Sequence, residues 1–196
     1  MIPAAIILAA GASSRMGRSK QMLDVKGEKL LVKTIQTVLR AGLSPVIIVL
    51  GSDVDGHRKL IRDLPVTIVH NPHWQSGMGS TIKAGLQQLT SKHPSPEAVV
   101  IAVCDQPLLS AETISNLISQ HEETGKPVIA SGYSGAPGVP VLFHRTYFEK
   151  LQNLPDDTGA KKIILQNLAD VSVVPFPGGE IDLDTPEDYN TFVGSA

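Results

Sequence analysis

The start of the chain limits its fold more than any other feature. Residues 4–10 (AAIILAA) form an unbroken apolar run, and the chain passes at once into Gly11-Ala12-Ser13-Ser14-Arg15-Met16-Gly17-Arg18-Ser19-Lys20. A strand without polar alternation must be covered on both faces, as in a parallel sheet flanked by helices. Residues 98–104 (AVVIAVC) repeat the pattern, and shorter strand-like runs lie at 45–50, 66–70, 127–131, 139–143 and 171–175. Helix-period segments separate them. Leu31, Ile35, Val38 and Leu39 share one face and Gly42 offers a stop. Ile82, Leu86 and Leu89 mark a second helix. Ser110 caps a third that carries Ile114, Leu117 and Ile118. Thr185 precedes Pro186, with Glu187 and Asp188 in a first turn. This order predicts a single α/β domain over residues 1–196: Rossmann-like, doubly wound and three-layered (α/β/α), with a mostly parallel sheet. The alternation breaks down after about residue 132. A helix over 157–168 and then an isolated strand are expected there, as a small subregion from about residue 133. The polar stretches 91–96 and 131–138 read as loops, not linkers.

Composition narrows the function classes. Lys and Arg number 17 against 19 Asp and Glu, a net charge of −2, and aromatics are only 4%. A broad nucleic-acid surface needs a basic surplus, and single-strand binding needs stacking platforms, so no nucleic-acid partner is expected. Cys104 is the only cysteine, which excludes an intrachain disulfide and a Cys-cluster zinc site. The apolar start lacks the basic n-region of a signal peptide, and no apolar run nears the roughly twenty residues of a membrane helix. These features lead us to expect a cytoplasmic protein with no membrane partner.

Four segments carry chemistry. The first is the loop after the initial strand. Small residues let backbone amides approach an anion, and Arg15, Arg18 and Lys20 add positive charge. Its spacing matches neither the Walker loop nor the dinucleotide fingerprint. The second is Cys104-Asp105-Gln106-Pro107, where Asp105 emerges at the end of a buried run. One or two carboxylates with phosphate oxygens and water suit Mg²⁺; the plain alternative is a turn-capping Asp. The third is residues 180–188 (EIDLDTPED). Asp182 and Asp184 share one face of an extended stretch, and either could supply a second metal carboxylate, although a helix dipole alone also favours acids there. The fourth is residues 71–81 (NPHWQSGMGST), which open a helix and offer amides and hydroxyls to an anion or base. Trp74 either packs beneath that loop or stacks on a base. The histidines show no metal spacing, Cys104 reads as core, and no nucleophile elbow is present.

Taken in order, LAAGASSRMGRSKQ, GMGSTIKAGL, CDQPLLSAETI, GVPVLF and DLDTPEDY resemble the MobA-like nucleotidyltransferases, nearest the molybdenum cofactor cytidylyltransferase branch. The resemblance spans nearly the whole chain. It implies transfer of CMP from CTP to the terminal phosphate of a molybdopterin-type acceptor, with Mg²⁺ as cofactor and pyrophosphate as product. A molybdoenzyme would receive the finished cofactor. Carried over, Leu8, Ala9, Ala10 and Gly11 contact the nucleotide, and Arg15 and Lys20 its phosphates. Asp105 and Asp184 match the metal carboxylates, with Asp182 as a neighbour. Gly79, Ser80 and Thr81 match the segment near base or acceptor, and Arg15, Lys20 and Asp105 form the catalytic set. The part from about residue 133 would serve the acceptor. Ala10 stands where guanylyltransferases usually carry Gly, which points to CTP. Val139 replaces a frequent His, and Gln106 a frequent Met, both on the acceptor side. The competing readings are a nucleotidyltransferase for another NTP or acceptor (GTP, a sugar phosphate, methylerythritol phosphate), a non-catalytic delivery module for molybdopterin or nucleotide, and an α/β domain binding some other phosphorylated metabolite.

Overall fold

The computed structural model describes residues 1–93 and 96–194. In chain order the elements are β1 (Ala4–Ala9), the short hairpin β2 (Asp24–Val25) and β3 (Glu28–Lys29), α1 (Leu30–Arg40), β4 (Val46–Leu50), α2 (Val54–Ile61), β5 (Thr67–His70), α3 (Met78–Lys92), β6 (Ala98–Val103), α4 (Ala111–Thr124), β7 (Val128–Tyr133), β8 (Ala136–His144), α5 (Phe148–Gln152), α6 (Ala160–Gln166), β9 (Val171–Pro175) and α7 (Pro186–Gly194). The main sheet has seven strands in the order β5-β4-β1-β6-β8-β7-β9. β1 pairs in parallel with β4 and β6, setting Ile7 beside Ile48 and Ala102. Only β8 runs against the rest.

The continuous apolar strands are where two-sided cover is needed. Ala5, Ile7 and Ala9 of β1 face a cluster with Leu31, Ile35 and Val38 of α1 and Ile114 and Leu117 of α4. Ile6 and Leu8 face the opposite cluster, with Ile82, Leu86 and Leu89 of α3 and Ile163 and Ile164 of α6. Each fully buried Ile or Leu contributes roughly 1.5–3 kcal/mol. Helix α3 lies unusually close to the sheet. A Cβ at Gly85 would stand 2.6 Å from Ile6 Cγ2 and 2.9 Å from Val49 Cγ2. The chain accepts a weaker helix former there in return for close contact.

The expected caps form. Ser110 Oγ accepts from the Thr113 amide at 3.1 Å. Asp188 Oδ2 accepts from the Thr185 amide at 2.8 Å, and Thr185 Oγ1 accepts from the Asp188 amide at 3.2 Å, a reciprocal capping box. Three expectations change. The stretch 131–138 is not a loop: β7 and β8 run into it and meet in a two-residue turn, with φ of 49° at Ser134 and 74° at Gly135. Two successive positive φ values match the twist of a tight hairpin. β9 is not isolated, because it pairs in parallel with β7 at the sheet edge. The stretch 91–96 begins inside α3, and residues 94 and 95 lie outside the described residues. Helices α2 and α5 had no sequence signal. Among the described residues no helix is long and apolar enough to cross a membrane.

Candidate active site

Parallel pairing brings the C-terminal ends of β1 and β6 together, with Leu8 opposite Val103. Beyond them lies a cleft of about 320 Å³, lined by Leu8, Ala9, Ala10, Gly11, Lys20, Gln21, Trp74, Thr81, Cys104 and Asp105. Open α/β sheets bind ligands in this position. Trp74 is half-buried and forms a wall of the cleft. It can do so because residue 51 is glycine. A Cβ there would stand 2.5 Å from both the Ala10 carbonyl oxygen and Trp74 Cγ.

The charged groups converge at one end. Lys20 Nζ donates to Asp105 Oδ2 at 2.5 Å and to Asp184 Oδ1 at 3.1 Å. Arg15 Nη2 donates to Asp184 Oδ2 at 2.7 Å. Lys20 is largely enclosed, at 16% side-chain exposure, whereas Arg15 reaches into solvent at 71%. Burial opposes the charge on Lys20, but Asp105 and Asp184 outweigh it and hold the ammonium above its ordinary pKa. Asp182 sits exposed beside them. Enough protein still surrounds its carboxyl that lost solvation, then the charges of Asp105 and Asp184, push it up to about 6. Both carboxylates meet at one nitrogen, and they are the groups here that could hold a small cation. Among the described residues no group of three or more His, Cys, Asp or Glu is gathered for a metal. A cation held here would therefore use Asp105 and Asp184 and complete its shell from phosphate and water, which fits Mg²⁺.

Other residues from the sequence reading are placed differently. Gly79 faces away from the cleft, and a Cβ on it would meet the carbonyl oxygens of Pro155 and Thr158. Ser80 Oγ donates to the His73 and Gly77 carbonyls and accepts from Asn71 Nδ2 at 2.9 Å, so its hydroxyl is used inside the loop. Of that trio only Thr81 lines the cleft. Arg18 leaves the basic loop and lies over the Tyr189 ring of α7, 5.0 Å from its centroid. Cys104 is core: burial, followed by the Asp105 charge, pushes its thiol up to about 12. Two buried amides have tethering roles that the sequence did not show. Gln21 Nε2 donates to the Ala9 carbonyl at 3.1 Å and the Gly11 carbonyl at 3.3 Å, tying the loop to the end of β1. Gln106 Nε2 donates to the Gly179 and Val139 carbonyls at 2.7 and 3.2 Å. Together with the Leu183 amide, which donates to the Asp105 carbonyl at 3.0 Å, it seats the segment that delivers Asp184.

Comparison with known proteins gives one family: residues 5–171 match the MobA-like NTP transferase domain. The chain is 28% identical to the molybdenum cofactor cytidylyltransferase of Escherichia coli K12, covering 95% of this chain and 93% of that protein. It is 36% identical to the nicotine blue oxidoreductase of Paenarthrobacter nicotinovorans over 70% of this chain and 65% of that one. The crystal structure of Rv0371c from Mycobacterium tuberculosis H37Rv superposes over 100% of both chains with a TM-score of 0.83 at 24% identity, which marks a shared fold.

Proposed function

The chain belongs to the MobA-like NTP transferase family, and from that membership we propose that it moves CMP from CTP to the terminal phosphate of a molybdopterin-type acceptor, releasing pyrophosphate. The reaction would take place in the cytoplasm, and a molybdoenzyme would receive the product. One observation carries the reading: Lys20 bridges Asp105 and Asp184 where the cleft from Leu8 to Gly11 ends. The kinship with a molybdenum cofactor cytidylyltransferase supports this choice of substrates.

In this reading the base lies between Ala10, Thr81 and Trp74, with the β1 loop amides of Ala10 and Gly11 against the nucleotide. Gly79 and Ser80 shape that wall from behind. An acceptor phosphate oxygen, ionised at pH 7, forms a bond to the α-phosphorus of CTP as the bond to the pyrophosphate oxygen breaks. No strong base is needed; the barrier falls by positioning two anions and offsetting their charge. Lys20 and Arg15 hold the phosphates and stabilise the leaving pyrophosphate. Asp105 and Asp184 are the residues that would hold Mg²⁺, and when bound it stabilises charge developing on the phosphate oxygens. The part from about residue 133 receives the acceptor, with Gln106 seating it against Val139.

The test is pyrophosphate release from CTP, GTP, ATP and UTP with molybdopterin, with and without Mg²⁺, for wild type and Asp105→Asn. The expected result is CTP- and Mg²⁺-dependent release, with Asp105→Asn folded and slower by orders of magnitude. Turnover with another nucleotide or acceptor alone would replace the substrate assignment. Tight nucleotide binding without turnover would make the protein a delivery module.

A further inference from the structure

We propose that His57, on a helix that contributes nothing to the cleft, is a positioning residue for the anion loop: it holds Ser19 from beneath and so fixes the stretch that presents Arg15 and Lys20. The functional part of this inference rests on the reading that this loop holds the phosphates of a nucleotide.

His57 is fully buried, at 0% exposure, in α2. Its Nε2 stands 2.7 Å from Ser19 Oγ. The direction of that bond follows from its neighbours. Gln21 Nε2 is committed to the Ala9 and Gly11 carbonyls, so Gln21 Oε1 faces the loop and can only accept. Ser19 Oγ lies 2.9 Å from that oxygen and gives it its single hydrogen. His57 Nε2–H is then the donor to Ser19. The other ring nitrogen, Nδ1, is buried with no hydrogen-bond partner of normal geometry among the described residues. Burial holds the imidazole below its ordinary pKa, against the pull of Asp53 and of the Ser52 backbone.

The same oxygen gathers the other end of the loop. Ser13 Oγ donates to Gln21 Oε1 at 3.4 Å and accepts from the Lys20 amide at 3.0 Å. Both serines are thus fixed on one buried amide, and His57 is the external strut. The loop needs one. Ser13 has a φ of 55°, a conformation that a non-glycine residue keeps only when its surroundings impose it. Arg15 and Lys20 are long side chains, and a loop that drifts by an ångström carries them away from a polyphosphate. His57 touches no part of the cleft and moves no proton in the reaction. It acts through Ser19.

Gln and Asn separate this role from simple core filling. The Nε2 of Gln overlays the donor of the imidazole, whereas the amide of Asn overlays Nδ1 and cannot reach Ser19. We expect His57→Asn and Ser19→Ala to speed amide hydrogen exchange across residues 12–20 while leaving α4 unchanged. Both should weaken binding of inorganic pyrophosphate about tenfold by calorimetry. Cytidine, which lacks phosphates and is read through Trp74 fluorescence, should bind each as it binds wild type. His57→Gln should stay within about threefold of wild type for pyrophosphate and keep a protected loop. Wild-type loop exchange in His57→Asn, or His57→Gln as impaired as His57→Asn, overturns the strut. Ser19 is only part-buried, so Ser19→Ala, which removes the Gln21 bond as well, serves should His57→Asn fail to fold, and a protected loop in Ser19→Ala overturns the strut too. If wild type binds neither pyrophosphate nor nucleotide, the phosphate reading of the loop fails, while the exchange data still decide whether His57 holds it.

Discussion

Asp182→Asn should make the protein more stable at neutral pH. The Asp182 carboxyl rises from 3.8 to about 6 because it loses solvation and faces Asp105 and Asp184. An acid with a raised folded pKa costs stability above that pKa, where the folded state must ionise it against repulsion. The cost fades as pH falls towards the unfolded value. A rise of this size corresponds to roughly 3 kcal/mol for a fully shielded group. Asp182 is exposed, and solvent screening brings this to about 1 kcal/mol. For a chain of this length that is about 2–4 °C in Tm. Thermal melts of wild type and Asp182→Asn should therefore differ by that amount at pH 7.5 and converge only below the unfolded value of 3.8, at about pH 3. Added Mg²⁺ should raise wild type more than the variant, because a cation between Asp105 and Asp184 relieves the same repulsion. An equal gain at both pH values, or no gain at pH 7.5, would refute the electrostatic account.

The remaining predictions follow from individual contacts. Lys20→Ala should lower pyrophosphate release by about 10²–10³-fold, the cost of removing one preorganised donor, and unchanged kinetics would remove Lys20 from the site. Trp74→Ala should raise the KM for nucleotide about tenfold with a smaller change in kcat, since stacking on an aromatic is worth roughly 1–3 kcal/mol; an unmoved KM would make Trp74 a packing residue only. Gly85→Val should lower stability by about 1–3 kcal/mol in urea unfolding, because its side chain meets Ile6 and Val49, and a variant as stable as wild type would show that α3 can lift off the sheet. Ser110→Ala should cost about 1 kcal/mol by the same measurement through loss of the α4 cap; no loss would mean that the exposed amide is satisfied by water.

The fold was legible where sequence signals were local. β1 and β6 are wholly buried, and their unbroken apolar runs could only serve two faces. Caps at Ser110 and Thr185 are local chemistry and were equally readable. Helix α2 was not, because Val54-Asp55-Gly56-His57-Arg58-Lys59-Leu60-Ile61 has a central glycine and too few apolar residues to show a period. It is helical because Ile61, Val54 and Leu60 find a core built by other elements. The β7–β8 turn was missed for a different reason. Ser134 takes a positive φ that Asn or Asp would have signalled, so Ser-Gly read as part of a polar loop. The place of β9 depends on pairing with β7 across some forty residues of chain, which no local pattern encodes.

The site divides along the same line. Lys20, Asp105 and Asp184 could be placed together because each follows or leads into an element whose end faces one sheet edge, and topology does the rest across sequence separations of 85 and 164 residues. The way Gly79 and Ser80 face could not be read. Both begin α3, but residues 155–158 press on that turn and aim it inward, and this contact depends on a segment more than seventy residues away. The histidines were weighed by metal spacing, a test blind to a residue that works through a serine. His57 carries a signal only once α2 is known to pass under the loop. The charge balance has the same character. A net charge of −2 describes the chain as a whole. This sheet edge is marked by one enclosed ammonium held between two carboxylates, and in the proposed reaction a bound cation and polyphosphate would have to share or replace that arrangement.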